Sequence, residues 1–336
     1  MRAEDLQEVT ASDPLWINIA MPFEQTFYPL GFPLQLSTNS PLIFEAAEES
    51  WPTSARAKFE VAPIRVSLGV TDSGSAIPEP PVFRARGNLM SIISDPLNFV
   101  IADMRSGYAF GWIRETTARD RSFFRFYFLD AVTLALVDQL YLAPVHAAAI
   151  RRQTKGVLLC GESGTGKSTL AYACARAGWT FVSDDASYLV RGADTPRVIG
   201  NSRSLRLRPD APILFKELLP VDTLMRANGK LGFELATDSL PQPIRAEPQA
   251  TITDVIFLRR VAGTSSDATL EPLLQRDPRR LYRSVWYGDD EVQEAQRTCY
   301  HLLLQSRWWN LTYSNYQQAV EKLNQLAGTP QFRGDR

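Results

Sequence analysis

Histidine and cysteine are scarce in this chain of 336 residues, with two of the first and three of the second. Cys160, Cys174 and Cys299 show no metal-ligand spacing and make no even set, which excludes a zinc framework and a disulfide scaffold. They read as reduced core thiols. An excess of one charge is also missing. Lys plus Arg number 36 and Asp plus Glu 37, for a net charge of -1, so the basic footprint of a nucleic-acid binder is absent. No apolar stretch has the length of a membrane span, and the acidic start Met1-Arg2-Ala3-Glu4-Asp5 lacks a signal core. The expected location is the cytoplasm. No internal repeat is visible, and the length leads us to expect two domains.

What the chain does contain is Gly161-Glu162-Ser163-Gly164-Thr165-Gly166-Lys167-Ser168, a full G-x-x-x-x-G-K-S phosphate loop. Val157-Leu158-Leu159-Cys160 before it reads as a buried strand, and the Ala- and Leu-rich run after it reads as a helix ending near Gly178. Glycines let successive backbone N–H groups point inward at phosphate oxygens, and the helix adds its N-terminal dipole. Lys167 would reach the outer phosphates of a bound ATP, and the Ser168 hydroxyl would ligate Mg²⁺. Glu162, Ser163, Thr165 and Thr169 complete the expected nucleotide-binding set.

Two neighbours extend the pattern. Downstream, the strand-like Thr180-Phe181-Val182-Ser183 leads into Asp184-Asp185. One carboxylate there can hold the metal while the other takes a proton from an attacking hydroxyl; a pair of aspartates that simply caps a turn is the lesser reading. Upstream, residues 144–150 and 157–160 flank a polar turn. A hairpin with Ile150 opposite Val157 puts His146 opposite Gly161, at the mouth of the loop. A purely structural histidine is the other reading.

His146, the glycine loop and Asp184-Asp185 together resemble the catalytic domain of bacterial HPr kinase/phosphorylase and its relatives, whose nucleotide domain is similar to that of phosphoenolpyruvate carboxykinases. The likeness covers roughly residues 141–208 and extends more loosely to 326. It implies an α/β P-loop fold, ATP and Mg²⁺, and transfer of phosphate to a serine hydroxyl. It also implies Asp184 as the base, Asp185 near the metal beside Ser168 and paired with His146, and a homo-oligomer. Two features depart from the family: Thr169 stands where a Glu usually follows the loop serine, and the Arg-Gly-Leu-Gly signature tied to HPr is missing. In its place is Ser204-Leu205-Arg206-Leu207-Arg208-Pro209-Asp210, as in relatives of varied substrate.

Arg206 and Arg208 lie two apart on a strand and share a face, so both are candidates to meet a phosphate; Arg206 is preferred, against the reading of a plain basic edge strand. Residues 1–140 read as an α+β recognition or scaffold domain of antiparallel strands with few helices. Leu34-Gln35-Leu36-Ser37-Thr38 alternates as a strand, and Ser40-Pro41 opens a helix as N-cap and N1 proline. Residues 98–104 and 108–113 bracket a hairpin turn. Residues 121–142 read as one long buried helix ending that domain. Residues 141–330 form the expected catalytic domain, with Asn228-Gly229-Lys230 as a candidate closing loop, and 331–336 a flexible tail. The expected partners are ATP and a protein or peptide bearing a serine, with neither nucleic acid nor membrane. A small hydroxylated metabolite as acceptor, or a non-catalytic ATP-gated factor, are the alternatives.

Overall fold

Alternating apolar residues start the first sheet in the computed structural model, which describes residues 19–51, 58–72, 74, 78–219, 221–225, 229, 231–261, 263, 267–282 and 289–328. Strands β1 (Phe23–Phe27) and β2 (Leu34–Thr38) pair antiparallel, with Leu34, Leu36 and Thr38 fully buried. Helix α1 (Pro41–Ser50) follows with Pro41 at its start and Ser40 in the N-cap position, but the Ser40 side chain makes no capping bond. Next come β3 (Ile64–Thr71), β4 (Val82–Arg86), β5 (Leu89–Asp95), β6 (Asn98–Asp103) and β7 (Tyr108–Arg114). The expectation of an antiparallel sheet is corrected here. The order is β1-β2-β3-β7-β6-β5-β4, and both β2–β3 and β3–β7 are parallel. Parallel neighbours need a crossover. Helix α1 lies in the first connection and the β4–β6 meander fills the second.

Short helices α2 (Glu115–Arg119) and α3 (Arg121–Phe124) lead through a π-helical turn, Arg125–Leu129, into α4 (Asp130–Tyr141). The long helix expected from the apolar run therefore carries a widened turn. It brings Phe124, Phe128 and Leu129 to the buried side ahead of Val132 and Leu136. Two compact units divide between Leu136 and Val137.

The second unit is built on a ten-stranded mixed sheet. Its strands are β8 (Leu142–Val145), β9 (Ala147–Arg152), β10 (Lys155–Cys160), β11 (Thr180–Ser183), β12 (Ser187–Val190), β13 (Arg197–Gly200), β17 (Arg245–Ala246), β18 (Gln249–Arg260), β19 (Thr269–Pro272) and β20 (Arg307–Tyr313). A small separate sheet joins β14 (Ser204–Leu207), β15 (Leu224–Met225) and β16 (Leu231–Ala236). Strand β18 is central, running parallel to both β10 and β20. Side chains alternate across the sheet. Val157 and Leu159 pack with helices α5 (Lys167–Arg176) and α7 (Tyr316–Gly328). Leu158 and Cys160 pack on the other face with Cys299, Tyr300 and Leu303 around the end of α6 (Asp290–Leu302). Burial on both faces explains why β10 reads as a continuous apolar run. All three cysteines are free and buried.

A fully buried carboxylate anchors the strand trio. Asp254 on β18 accepts Trp309 Nε1 at 2.8 Å, Arg307 Nη2 at 2.9 Å and Thr253 Oγ1 at 2.8 Å. Among the described residues no helix is long and apolar enough to cross a membrane. Asn228 and Lys230 of the expected closing loop, and the tail 331–336, lie outside the described residues.

Candidate active site

The hairpin of β9 and β10 pairs Ile150 with Val157 and Ala147 with Cys160, so His146 and Gly161 follow at the same end of the sheet. From that end the chain turns through the glycine loop into α5, which starts at Lys167. Gly166 sits at φ 96, in left-handed space, and a Cβ there would stand 2.6 Å from the Tyr313 hydroxyl. That hydroxyl donates to the Thr165 carbonyl at 2.6 Å, so the last strand of the sheet clasps the loop from behind. Burial pushes the Tyr313 phenol up to about 12, and it stays a donor at neutral pH.

Lys167 is buried, and its Nζ donates to the carbonyls of Gly161 at 2.8 Å and Glu162 at 3.1 Å. The Glu162 carbonyl also accepts the Thr165 hydroxyl at 2.8 Å and the Thr165 N–H at 3.3 Å. Burial lowers the Lys167 pKa, and the Asp185 charge opposes that shift. His146 stands between these two groups. Its Nε2 is 3.1 Å from Lys167 Nζ, and its Nδ1 is 3.3 Å from Asp185 Oδ1. The histidine and Asp185 are half exposed, so this chain of contacts opens to solvent.

Asp184 is in a different environment from its neighbour. It is only 8% exposed, and one of its carboxylate oxygens accepts the Arg206 backbone N–H at 2.5 Å. Its own backbone carbonyl takes the Ser168 hydroxyl at 3.1 Å, which ties the start of α5 to the end of β11. Burial raises the Asp184 carboxyl to about 6; the Arg206 hydrogen bond and charge pull the other way, and the Asp185 charge adds to the rise. Two adjacent carboxylates thus differ in kind. One is buried with a proton affinity near neutrality, and the other is open and beside a histidine.

Arg206 and Arg208 have different surroundings. Arg206 lies opposite Glu234 on β16, and its guanidinium pairs with that carboxylate at 2.9 Å. Arg208, just past the end of β14, leans over the loop: a Cβ on Gly164 would lie 3.2 Å from its Nη2. The strand ends before Arg208, and the guanidinium of Arg206 is engaged by Glu234. Arg206 contributes its backbone N–H instead.

The glycine loop also forms one wall of a cavity of about 240 Å³ lined by Thr169, Leu170, Leu214, Arg260, Tyr313 and Tyr316, among others. Of these only Thr169 was picked out from the sequence. Tyr313 and Arg260 are register partners at the ends of β20 and β18, a pairing that no local motif announces. Among the described residues no group of three or more His, Cys, Asp or Glu is placed to hold a metal by itself.

The second unit is thus a mixed α/β fold with a glycine loop, a helix N-terminus and two aspartates gathered at one end of its sheet. Among solved structures, the Hpr(Ser) kinase/phosphatase from Coxiella burnetii is similar to this chain, at 14% sequence identity and a TM-score of 0.28, over 55% of this chain and 97% of that one. No family model matches the sequence, and no curated protein matches it.

Proposed function

We propose that this chain is an ATP- and Mg²⁺-dependent phosphotransferase of the HPr-kinase-like group, acting on a serine-type hydroxyl of a protein or peptide. The observation that carries this reading is the pair Asp184-Asp185. A buried carboxylate raised to about 6 stands beside an open one that contacts the histidine bridging to Lys167. Binding a nucleotide requires no such base; moving a proton does.

The residues present fit a nucleotide and its metal. The backbone at Gly164 and Gly166 takes positive φ, leaving a cradle that a Cβ would fill. Ser168 and Asp185 supply the oxygen ligands that Mg²⁺ favours, and the cavity beside Thr169 has aromatic and polar walls suited to a nucleoside. MgATP supplies the transferable phosphoryl group and the cation that neutralises its charge. Lys167 exchanges the carbonyls of Gly161 and Glu162 for phosphate oxygens. Asp184 accepts the proton of the acceptor hydroxyl, and His146 holds Asp185 in place. Arg208 presents a guanidinium to charge that develops near Gly164.

Replacing Arg208 with Ala is expected to lower the transfer rate by about 10²-fold. Replacing Arg206 with Ala removes an exposed ion pair worth at most about 1 kcal/mol and is expected to leave the rate within about threefold of wild type. Single-turnover kinetics of the two variants checks the assignment, and equal losses would refute it.

The reading is tested by incubating the protein with γ-labelled ATP, Mg²⁺ and a cytosolic extract, then separating macromolecules from small solutes. Label in the macromolecular fraction is the expected result. Label only in the small-solute fraction would favour a metabolite kinase. Tight ATP binding with no label in either fraction would favour an ATP-gated factor.

A further inference from the structure

The register of the first sheet builds three cross-strand rows on the face opposite its buried side chains. One row reads Val82, Ile93, Phe99 and Trp112; the next Arg84, Ser91, Ile101 and Phe110; the third Arg86, Leu89, Asp103 and Tyr108. Trp112 closes the first row by lying on Gly69 of β3, where a Cβ would come within 2.0 Å of its ring. Glycine is therefore required for the indole to lie flat on the sheet. Leu89 is 58% exposed, Val82 50% and Ile101 47%, so apolar side chains stand open on this face among Arg84, Arg86, Ser91 and Asp103.

Strand β4 ends the sheet, and all five of its residues are exposed. Its main chain pairs with β5 alone among the described residues, which leaves one row of N–H and C=O groups available. Such an edge is a template for another strand. The charge on this edge restricts what that strand can be. Arg84 and Arg86 project from the same face as Val82, and neither makes an ion pair among the described residues. A second copy of β4 aligned antiparallel about Arg84 would set arginine against arginine, which is destabilising. An acidic strand meets no such barrier.

We propose that β4 accepts an extended acidic segment of another polypeptide as an eighth strand. On the outer face, two acidic side chains two residues apart stand opposite Arg84 and Arg86, and an apolar one stands opposite Val82. The intervening side chains are apolar and lie opposite Ala85 and Phe83. The chemistry recognised is therefore the alternation acidic, apolar, acidic, apolar, apolar, with main-chain hydrogen bonds giving affinity and the arginines giving selectivity. This inference does not depend on phosphotransfer.

The test uses the full chain and two fluorescein-labelled decapeptides, one with the core Asp-Val-Asp-Val-Val and one with both aspartates replaced by lysine. Fluorescence anisotropy at low salt is expected to show binding of the acidic peptide, with affinity at least about tenfold above that of the lysine peptide. The double variant Arg84→Glu, Arg86→Glu is expected to reverse the preference and bind the lysine peptide instead, a gain that misfolding cannot produce. Equal binding of the two peptides, no binding by wild type, or an unchanged preference in the double variant would each overturn the proposal. So would a concentration-dependent dimer in sedimentation velocity that the double variant abolishes, because the edge would then belong to a second copy.

Discussion

Asp184→Asn lowers the transfer rate by about 10²–10⁴-fold, the usual contribution of a positioned general base, and leaves ATP affinity within about threefold. The asparagine keeps the shape of the side chain and still offers an oxygen to the Arg206 N–H, so the loop and α5 stay in place. The pH profile separates this base role from a structural one. With the wild-type carboxyl raised to about 6 by burial, kcat/KM rises with pH through that value and levels off above it. The variant loses that acid limb.

Stability moves in the opposite direction. Because the folded state raises the Asp184 pKa, it binds the proton more tightly than the unfolded chain does. Ionisation then destabilises the fold as pH rises from the ordinary carboxylate range through about 6. Asp184→Asn is accordingly as stable as wild type near pH 4 and more stable by about 1–3 kcal/mol at pH 8, as read by urea unfolding. A variant that is both slower and more stable marks a residue kept for chemistry. Unchanged transfer rates would remove Asp184 from the base role.

The second large effect is on folding. Asp254→Ala destabilises the second unit by about 1–3 kcal/mol, the cost of leaving hydrogen-bond donors without their acceptor at a fully buried site. The fully buried carboxylate receives Arg307, the Trp309 indole and the Thr253 hydroxyl, and these link β18 to β20. Alanine leaves the Trp309 indole N–H without its acceptor, whereas the guanidinium of Arg307, 40% exposed, turns to water. Asp254→Asn keeps the shape and part of the bonding and loses less. Urea denaturation with an unchanged m value checks the prediction, and a loss below about 1 kcal/mol for the alanine variant would refute it.

The local features of this site were legible because short-range rules govern them. The six residues between Ile150 and Val157 set the hairpin register, and the register brings His146 to Gly161. The glycine loop, the helix at Lys167 and the strand leading to Asp184 are each written in about ten residues. Features assembled from distant segments were not legible. Arg206 and Arg208 are both candidates in the sequence, and the pairing of Arg206 with Glu234 comes from another strand. Tyr313 comes from the far end of the chain to hold Thr165, and its sequence neighbourhood reads only as a strand. The parallel pairing of β3 with β7 is invisible to alternation, which shows which face a side chain takes and not which strand lies beside it.

That last pairing has a kinetic consequence. Arg65 lies beside Tyr108 and Thr71 beside Arg114, with the whole β4–β6 meander in between. Strands β4 to β7 meet through short turns and can zip together within microseconds, whereas β3 must wait for a distant partner. Early protection of amides in the meander and late protection in β3 would be the record of that order in pulse-labelled refolding. Substitutions in β3 would then speed unfolding more than they slow folding.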